Sequence, residues 1–569
     1  MSGILSIGTR ALTANQVALQ TAGNNIANVN TIGYSRQSVV LQSVAGQSTA
    51  SGYFGNGVAV QTVLRNHSDF LTRQSALANS VAASDTARMD QLNQLETIFQ
   101  GGSAGIGASV SNMFNSFSDV ALVPGDLTAR TVALNNVDEM AARFRTAAAS
   151  LNDLQQGNVS QLSDAVTAVN NLADRIATAN EQIVRAQGTG HPPNDLLDQR
   201  DQLIATLNSY VQTSSVPAAD GSVGIFLSGS HPLVLGTTVT HVSLAADTFG
   251  DPAKIKLAIV NGGIKVTLDE ASLGGGSMAG LLKFQNADLV NASNLLGRMA
   301  LAIATATNDQ HKLGLDLNGD QGGNLLTLSA FPNGFKASTN TGSAIVTLAV
   351  QPPPNTGSTA LAASNYEIDF SGAATGSITR LTDGYSTTFA IDSTGTFQFQ
   401  NPITGNTDGA MDGLVMTATL GTTASSGDRF LMTPFSAAAL NIKTTISSPS
   451  DLAMALPSSS SAYPTLDAGN ANALMALRDL KMFDGANLTD GFASVISDIG
   501  GLVQSATSAA AVSKSLAASI ESDRTSVSGV NLDEEASKML QYQQSYQACA
   551  KMLQISQSVF DTLMQAVAR

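Results

Sequence analysis

The sequence contains a single cysteine, Cys549, and no tryptophan. One cysteine cannot form a disulfide within the chain, and it cannot supply a zinc site built from several cysteines. Charged residues make up only 12% of the 569 residues, which is about half of the usual share. Ser, Thr, Asn, Gln, Ala and Gly take their place, and a surface of this composition favours extensive self-association.

Basic charge and long hydrophobic runs are also scarce. The chain has 28 Lys and Arg against 43 Asp and Glu, with a net charge of −15. Without a basic stripe, nucleic-acid binding is not expected. The longest uninterrupted apolar run, Met299–Ala304, is too short to span a membrane. The first residues lack the pattern of a cleaved signal peptide, so we expect a chain that is cytoplasmic or exported without one.

Two motifs have the outline of a chemical site. The sequence GGSAG at 101–105 matches the turn around a hydrolase nucleophile, but it follows a helical pattern where that turn needs a strand. Asp316, Asn318 and Asp320 have the spacing of a calcium loop, but Thr327 stands where a glutamate is required. We interpret the first as a loop that ends a helix and the second as a solvated turn.

The remaining candidates are weaker. The five histidines are scattered, and Cys549 is interpreted as a small buried residue. The segment Pro193–Leu207 is dense in acidic and basic residues, and a capped helix with a polar side explains it: Asn194 is the predicted cap, and Asp195, Asp198, Arg200 and Asp201 form the polar side. We therefore predict no catalytic residue, cofactor or metal site and no enzyme activity.

Both chain ends carry a helical seam of mostly apolar, uncharged residues. The first thirty residues repeat such positions every three or four residues. The N-terminal seam comprises Leu5, Gly8, Leu12, Asn15, Leu19, Ala22, Ile26 and Val29. The C-terminal seam comprises Leu532, Ala536, Met539, Gln543, Tyr546, Ala550, Leu553, Gln557, Phe560, Met564 and Val567. Asn531 is a predicted cap for the second helix. We expect the two terminal helices to pair with each other.

Helical and β-rich patterns alternate between the chain ends. Helices are predicted near 67–99, 107–123, 128–154, 194–211, 278–310, 470–481 and 488–523, with a further helical seam from Val159 to Ile183. Short alternating runs predict strands within 214–273 and 337–434. Two runs that flank Asn261, Gly262 and Gly263 predict a β-hairpin.

The predicted fold is a mixed α and β, multidomain protein. A terminal α-helical, coiled-coil-like domain comprises residues 1–45 with 525–569. A helical shaft domain comprises residues 46–213 with 274–336 and 435–524. A small β insertion occupies 214–273, and an outer β-rich domain occupies 337–434.

Specific stretches resemble a known family. GNNIANVNTIGYSRQ at 23–37 and SGVNLDEEASKMLQYQQSYQACAKMLQ at 528–554 resemble the terminal signatures of bacterial flagellar rod, hook and hook-associated proteins. Inner stretches such as NDLLDQRDQL, HPLVLGTTV and GDRFLMTPF resemble the branch that forms the junction between hook and filament. The matches run in order through nearly the whole chain.

The resemblance implies a structural subunit of the flagellar axis that is secreted through the flagellar type III export apparatus. Its implied partners are other copies of itself, the hook subunit, hook-associated protein 3 and an export chaperone of the FlgN type. The terminal seams would then be assembly surfaces, and the C-terminal seam would also bind the chaperone. Neither nucleic acid nor membrane insertion is expected.

The signature turn comprises Asn24, Asn25, Asn28, Asn30, Gly33 and Tyr34. We expect its asparagines to cap the first helix and to bind neighbouring backbone, while Gly33 supplies the freedom that the turn needs. The family usually has proline at the position of Ile32, so Gly33 and the asparagines carry more of the conformational demand here.

The sequence leaves other classes of protein open as alternatives. Another axial protein, such as hook-associated protein 3 or the hook subunit, would share the terminal signatures. A secreted adhesin or hydrolase would need a cluster of polar or aromatic residues in one pocket, which no pattern indicates. A cytosolic coiled-coil scaffold would be found only inside cells.

Overall fold

The computed structural model describes residues 2–49, 52–102, 105–188, 192–328, 330–352, 359–400, 407–419, 422–457 and 465–568. Helices account for about 53% of the described residues and strands for 19%. The predicted fold class, helical ends and body with β-rich insertions, is confirmed. Ser103 of the GGSAG motif and His191 lie outside the described residues.

Eleven α-helices in the described residues form the ends and the body of the molecule. They are α1 (Ser2–Ala27), α2 (Asp69–Ile98), α3 (Ile106–Leu122), α4 (Leu127–Gln187), α5 (Asn194–Tyr210), α6 (Ser277–Lys283), α7 (Leu289–His311), α8 (Ala438–Asn441), α9 (Gly469–Ala476), α10 (Leu488–Ser528) and α11 (Leu532–Val567). A π-helical turn, Phe284–Asp288, joins α6 to α7.

The β regions contain twenty strands within the part of the chain that the structure describes. The first fifteen are β1 (Gln37–Ser43), β2 (Gln47–Thr49), β3 (Gly52–Phe54), β4 (Val58–Arg65), β5 (Thr213–Pro217), β6 (Val223–Leu227), β7 (His231–Leu235), β8 (Thr238–Val239), β9 (His241–Ala246), β10 (Ile255–Asn261), β11 (Ile264–Thr267), β12 (Phe335–Lys336), β13 (Val346–Val350), β14 (Tyr366–Phe370) and β15 (Thr375–Arg380). The others are β16 (Ser386–Ile391), β17 (Phe397–Gln400), β18 (Thr407–Asp408), β19 (Leu414–Ala418) and β20 (Arg429–Met432).

The helix α11 begins as the sequence predicts. The side chain of Asn531 accepts hydrogen bonds from the backbone N–H of Asp533 and Glu534. Acidic residues fill the first turn, where they face the positive end of the helix dipole. The cap predicted at Asn531 is therefore confirmed, and α11 pairs with α1 as expected.

A β-hairpin that the sequence interpretation missed follows α1. Strands β1 and β4 pair antiparallel with a bulge between Val40 and Leu41, and they pack on α1. No strand was predicted between the first helix and the helix near residue 67, and these residues were assigned only to the terminal and shaft domains. QSVVLQS and VAVQTVLR contain the β-branched and apolar residues that favour strands, but a stretch with four glycines separates the two runs.

The body is built around α4, which is one helix of 61 residues. The sequence predicted two helices here with a break near Gly157, and that break is absent. A glycine inside a helix costs only about 1 kcal/mol. The adjacent Asn158 is fully buried and donates hydrogen bonds to Leu281 O and Gln285 Oε1. These contacts hold the chain helical through the weak position.

The main core lies between α2, α3, α4, α7 and α10 and continues into the outer β region. Large apolar side chains fill it, among them Phe114, Phe117, Met140, Phe144 and Phe284. The rings of Phe114 and Phe117 meet edge to face, with centroids 6.2 Å apart. This core orders the body without help from the chain ends.

The first β region contains a four-stranded sheet, β5-β6-β7-β8, and a three-stranded sheet, β11-β10-β9. Asn261 pairs with Ile264 across a two-residue loop in which Gly262 and Gly263 both have positive φ. This is the requirement of a tight hairpin turn, so the hairpin predicted there is confirmed.

The second β region contains a seven-stranded sheet of order β12-β20-β14-β15-β16-β17-β18 and a separate pair, β13 and β19.

The described residues between 312 and 334 and between 442 and 468 contain no α-helix, although both segments lie in the predicted helical shaft domain. The predicted division into domains otherwise remains a prediction.

Candidate functional site at the paired chain ends

Helices α1 and α11 lie antiparallel. A Cβ atom built on Gly8 would approach Leu553 Cδ2 to 2.7 Å, and Asn15 Nδ2 lies 3.7 Å from the sulfur of Cys549. Farther along, Asn25 contacts Glu535. Glycine at position 8 therefore lets the two backbones approach closely. The side chain of Cys549 is half-buried in this contact.

A polar joint holds the other end of the pair. Asn25 Nδ2 donates to Glu535 Oε2 at 2.8 Å and to Gln37 O at 2.9 Å. Asn25 Oδ1 accepts from Tyr34 OH at 2.8 Å and from Gln37 N at 2.9 Å. Asn25 and Glu535 are almost fully buried. One asparagine thus ties the end of α1, the signature turn and the start of α11 together.

Arg36 strengthens the joint with charge. Its Nη2 lies 2.7 Å from Glu535 Oε1 and 2.9 Å from Glu534 Oε1, and its backbone N–H donates to Ser528 O at 2.8 Å. The hydrogen bond to Glu534 is the main cause that raises the pKa of Arg36 above its ordinary value. The bonds from Arg36 and then Lys538 lower the pKa of Glu534 to about 2. Arg36 and Glu534 therefore carry opposite charges at neutral pH.

The signature turn connects this joint to the body. Gly33 has a φ of 84°, and Tyr34 N donates to Thr31 O at 3.2 Å. This is the pattern of a type II turn with Gly33 at its third position. A Cβ on Gly33 would lie 2.5 Å from Gln202 Oε1. Both the backbone conformation and the close side chain therefore require glycine.

The other members of the signature turn behave differently. Asn28 Nδ2 donates to Asn24 O at 3.0 Å, and its Oδ1 accepts from Thr31 Oγ1. Asn24 and Asn30 are exposed, and their side chains make no hydrogen bond to the part of the chain that the structure describes. The hypothesis of local bonding therefore holds for Asn25 and Asn28.

Tyr34 is half-buried in the joint. Burial is the main cause that raises the pKa of its phenol to about 12, and the negative charges of Asp198, Asp195 and Glu535 add to it. The neutral phenol is the form that donates to Asn25 Oδ1.

Acidic residues of α5 attach the turn to the body. Ser35 N donates to Asp198 Oδ2 at 3.0 Å, and Arg65 Nη1 lies 2.9 Å from Asp198 Oδ1 and 2.7 Å from Asp201 Oδ2. The predicted cap at Asn194 is wrong, because Asn194 is inside α5 and its Nδ2 donates to Val63 O. Asp198 and Arg200 are buried instead of lying on a solvated side.

The residues of the two terminal seams are buried to different extents. In the N-terminal seam Ala22 is buried, Gly8 and Asn15 face α11, and the other positions are half-buried: Leu5, Leu12, Leu19, Ile26 and Val29. In the C-terminal seam Tyr546, Ala550 and Leu553 are half-buried. The remaining apolar positions of this seam are exposed: Leu532, Ala536, Met539, Phe560, Met564 and Val567.

The tip of α11 has no partner in α1. Because Gly8 lies against Leu553 in an antiparallel pair, α1 reaches only to about the level of Val559. Residues Phe560, Leu563, Met564 and Val567 extend past this level and are exposed. An apolar hollow of about 640 Å³ between the helices, lined by Ile4, Met552, Ile555 and Val559 among others, lies next to the tip.

The other sequence candidates form no catalytic or metal-binding cluster among the described residues. Asp316 Oδ1 accepts from the N–H groups of Asn318 and Asp320, which forms a local turn. In the described part of the chain, no three His, Cys, Asp or Glu residues are placed to hold a metal. A stretch within Leu488–Val567 reaches a mean hydropathy of 1.2, enough for a membrane span by length and composition alone. The range Leu488–Val567 comprises two helices separated at Gly529, and 28% of the 18-residue apolar stretch within it is buried.

Sequence reasoning missed the partners that make the joint. Arg36 lies far in the chain from Glu535, as Arg65 does from Asp198, and these residue types are common on surfaces. The available signal was the lone arginine next to the signature turn and the run of acids after Asn531. Opposite charges at two predicted contact ends could have been paired.

Comparison with known proteins gives three family matches. Residues 92–326 match the family described as flagellar hook-associated protein FlgK helical domain. Residues 5–34 match the family described as flagella basal body rod protein. Residues 522–566 match the C-terminal family of the flagellar basal body rod FlgEFG proteins.

Individual relatives extend over the whole chain. Flagellar hook-associated protein 1 of Escherichia coli K12 is 31% identical over 569 residues, which covers 99% of this chain and 100% of the relative. The protein of the same name from Salmonella typhimurium is 30% identical over 573 residues, with the same coverage. The flagellar hook junction protein FlgK from Burkholderia pseudomallei has the same fold, with a TM-score of 0.71 at 23% identity over 80% of this chain and 100% of that one.

Proposed function

Because this chain belongs to the flagellar hook-associated protein 1 family, we propose that it is the structural subunit that joins the hook of the bacterial flagellum to its filament. The observation that supports this role is the pair of chain ends. Its helices are joined by a buried polar network at one end and expose apolar side chains at the other. A surface of this kind is completed by neighbouring subunits in an assembly.

The two seams supply the assembly surface in this proposal. Positions such as Leu12 and Leu19 are already half-buried in the single chain, whereas Phe560, Met564 and Val567 are exposed. Other copies of the chain would cover these positions within the flagellar axis. The hook subunit would lie on one side of this layer and hook-associated protein 3 on the other.

Export is the second part of the proposal. The chain would leave the cell through the flagellar type III apparatus as an unfolded polypeptide. Before export, a chaperone of the FlgN type would bind the C-terminal seam, because an amphipathic helix with exposed Met539, Phe560 and Met564 suits a helix-binding groove. The same surface would pass from chaperone to neighbouring subunits, so both partners would not bind at once.

A matched pair of substitutions tests the role of the tip. Met564 is 56% exposed on α11, and Val216 is 54% exposed on β5. In a strain that lacks its own copy of the protein, Met564→Asp is expected to leave hooks without filaments and to release filament protein into the medium. Val216→Asp is expected to restore swimming, because the new charge remains in water.

Two measurements separate the possible causes. Export is measured as the amount of the chain in the medium. Chaperone binding is measured by calorimetry with the purified full chain. Loss of filaments with normal export would place the defect in assembly. Wild-type swimming by the Met564→Asp strain would contradict the proposed role of the tip, and a wild-type chain that is absent from purified flagella would contradict the junction role.

A further inference from the structure

A cavity of about 260 Å³ lies where the helical body meets both β regions. We name it the α4–α7 cavity, because Leu151 of α4 and Leu296 of α7 are among the residues that line it. Asp251, between β9 and β10, belongs to the first β region, and Asn365, just before β14, belongs to the second. A ligand at this place would therefore contact three parts of the fold at once.

Three polar side chains that line the cavity are almost completely buried. Asp251, Asn294 and Asn365 are 3%, 4% and 5% exposed. Asp251 Oδ2 and Asn365 Oδ1 are enclosed and accept no hydrogen bond from the described residues. The side chain of Asn294 makes no hydrogen bond to the described part of the chain either. Buried polar atoms almost always have partners, so three such side chains around one cavity indicate a ligand that supplies them.

The local turn around Asp251 uses only one of its two carboxylate oxygens. Asp251 Oδ1 accepts from Ala253 N at 2.9 Å, and Asp251 N donates to Asp247 Oδ1 at 3.0 Å. An asparagine side chain would accept the bond from Ala253 as well. Burial is the main cause that raises the pKa of the Asp251 carboxyl above its ordinary value. The turn therefore accounts for Oδ1, but not for a carboxylate at this costly position.

The lining of the cavity carries negative charge only. Among the described residues, Asp251 is the one titratable residue that lines it. Arg145, Lys254 and Lys336 are close to lining residues in the sequence, but these three described residues do not line the cavity. The guanidinium of Arg145 instead donates to Ile442 O at 2.8 Å. A cation in the cavity would therefore meet a carboxylate.

Apolar side chains form most of the remaining lining, among them Leu289, Leu296, Phe335, Phe435 and Leu440. In the described chain, no three His, Cys, Asp or Glu residues are placed to hold a metal ion. An alkyl chain suits apolar walls, and aromatic rings attract organic cations. The cavity is slightly smaller than the ~300 Å³ at which sites for drug-sized molecules begin. These features favour a small cation with an apolar part.

We propose that the α4–α7 cavity binds a small organic ammonium ion, with its charged group at Asp251 and Asn365 and its alkyl part against Leu296 and Phe435. An ammonium group has three donors and no acceptor, which matches the enclosed acceptor atoms of Asp251 and Asn365. Hydrogen bonds between charged groups are about twice as strong as neutral ones. The bound ion would hold both β regions against the helical body. This binding goes beyond the junction role and does not depend on it.

The first test measures binding by calorimetry with the purified full chain. The probe is n-butylammonium chloride in phosphate buffer, because amine buffers would compete for the site. We expect saturable binding at a single site, and we expect n-butanol, which has the same alkyl chain without the charge, to bind at least about tenfold more weakly. Equal binding of the two compounds, or no saturable binding of n-butylammonium, would overturn the inference. The junction role is tested separately on flagella and would survive that result.

The second test removes the charge and keeps the turn. Asp251→Asn retains an acceptor for Ala253 N, and it is expected to lower the affinity for n-butylammonium at least about tenfold. Asp316→Asn is the matched control, because Asp316 is also buried and its Oδ1 accepts from Asn318 N in a local turn. The control is expected to bind with the wild-type affinity. Wild-type affinity in Asp251→Asn, or an equal loss in both variants, would contradict the role of Asp251.

The third test separates binding from folding. Asn365→Leu replaces a buried side chain whose Oδ1 has no partner in the described residues. Its melting temperature, followed by circular dichroism, is expected to stay the same or to rise, because an unpaired buried acceptor is removed. Its affinity for n-butylammonium is expected to fall at least about threefold for the lost hydrogen bond. Wild-type affinity in a folded Asn365→Leu chain would overturn the proposed position of the ammonium group.

Discussion

The helical body buries Phe114, Phe117 and Phe144 completely, whereas the paired chain ends leave Phe560 and Met564 in solvent. The body therefore obtains its stability from a hydrophobic core that needs no other chain. The ends are held by small residues at close approach and by a buried polar joint. This difference indicates a body with a complete core of its own and ends whose large apolar residues are left exposed in the single chain.

Truncation of a large apolar side chain to alanine is expected to give the largest difference in stability between the two regions. Phe144→Ala is expected to lower the free energy of unfolding of the body by about 3 to 5 kcal/mol. Leu553→Ala, in the pair of α1 and α11, is expected to leave the melting temperature of the body unchanged. Thermal unfolding followed by circular dichroism checks both. Equal losses of melting temperature would contradict the distinction between the regions.

The polar joint is the next target. Glu535→Ala removes the acceptor of both Asn25 and Arg36. We expect the pairing of α1 with α11 to lose about 2 to 3 kcal/mol, because buried polar groups are left without partners. Hydrogen exchange should accelerate in α1 and α11 and stay unchanged in α4. The matched control is Glu139→Ala, which removes an exposed ion pair with Arg143 on α4.

Gly33 connects the two regions. Gly33→Val is expected to destabilise the signature turn by about 1 to 3 kcal/mol, because its φ of 84° is strained for a branched side chain. The new side chain would also displace Gln202. Swimming and filament attachment should be impaired, while the melting temperature of the body changes little. Normal swimming would contradict the role assigned to the turn.

The joint should respond to alkaline pH through Tyr34. The pKa of its phenol is raised from 10.0 to about 12 in the folded chain. The stability from the neutral phenol is therefore complete below pH 10 and is lost as the pH rises from 10 to about 12. Absorbance of tyrosinate should show a transition near pH 12 that is absent from Tyr34→Phe. The buried Tyr366, whose pKa is raised further by burial, should stay neutral in this range. At neutral pH, Tyr34→Phe should lower the stability of the joint by about 1 kcal/mol, because the hydrogen bond to Asn25 Oδ1 is lost.

The smallest expected effect is a gain. Ile32 is at the second position of the type II turn and is 85% exposed. Proline is favoured at that position, because its fixed φ suits the turn. We expect Ile32→Pro to stabilise the signature turn by about 0.4 to 1 kcal/mol. Slower hydrogen exchange at the backbone N–H of Tyr34 would confirm the gain in stability. Faster exchange there would show that the turn does not accept proline.

Local patterns predicted the elements whose cause is local. The cap at Asn531 and the hairpin at Gly262 and Gly263 depend on neighbouring residues, and both are confirmed. The continuity of α4 through Gly157 depends on Asn158 meeting α6 and the π-helical turn, which are distant in sequence. The hairpin of β1 and β4 depends on packing against α1. Such contacts override a local break or a weak alternation.

The sequence by itself determined that both chain ends are low-charge amphipathic helices, that β-rich segments interrupt a helical body, and that glycine is needed at position 33. These properties follow from periodicity, propensity and backbone freedom, which neighbouring residues control. Only the tertiary structure decided which residues of α11 face α1 and that Asn25, Arg36 and Glu535 meet in one buried joint. The reason is physical: an amphipathic helix can present several adjacent faces, and distant polar partners select one of them when the chain folds.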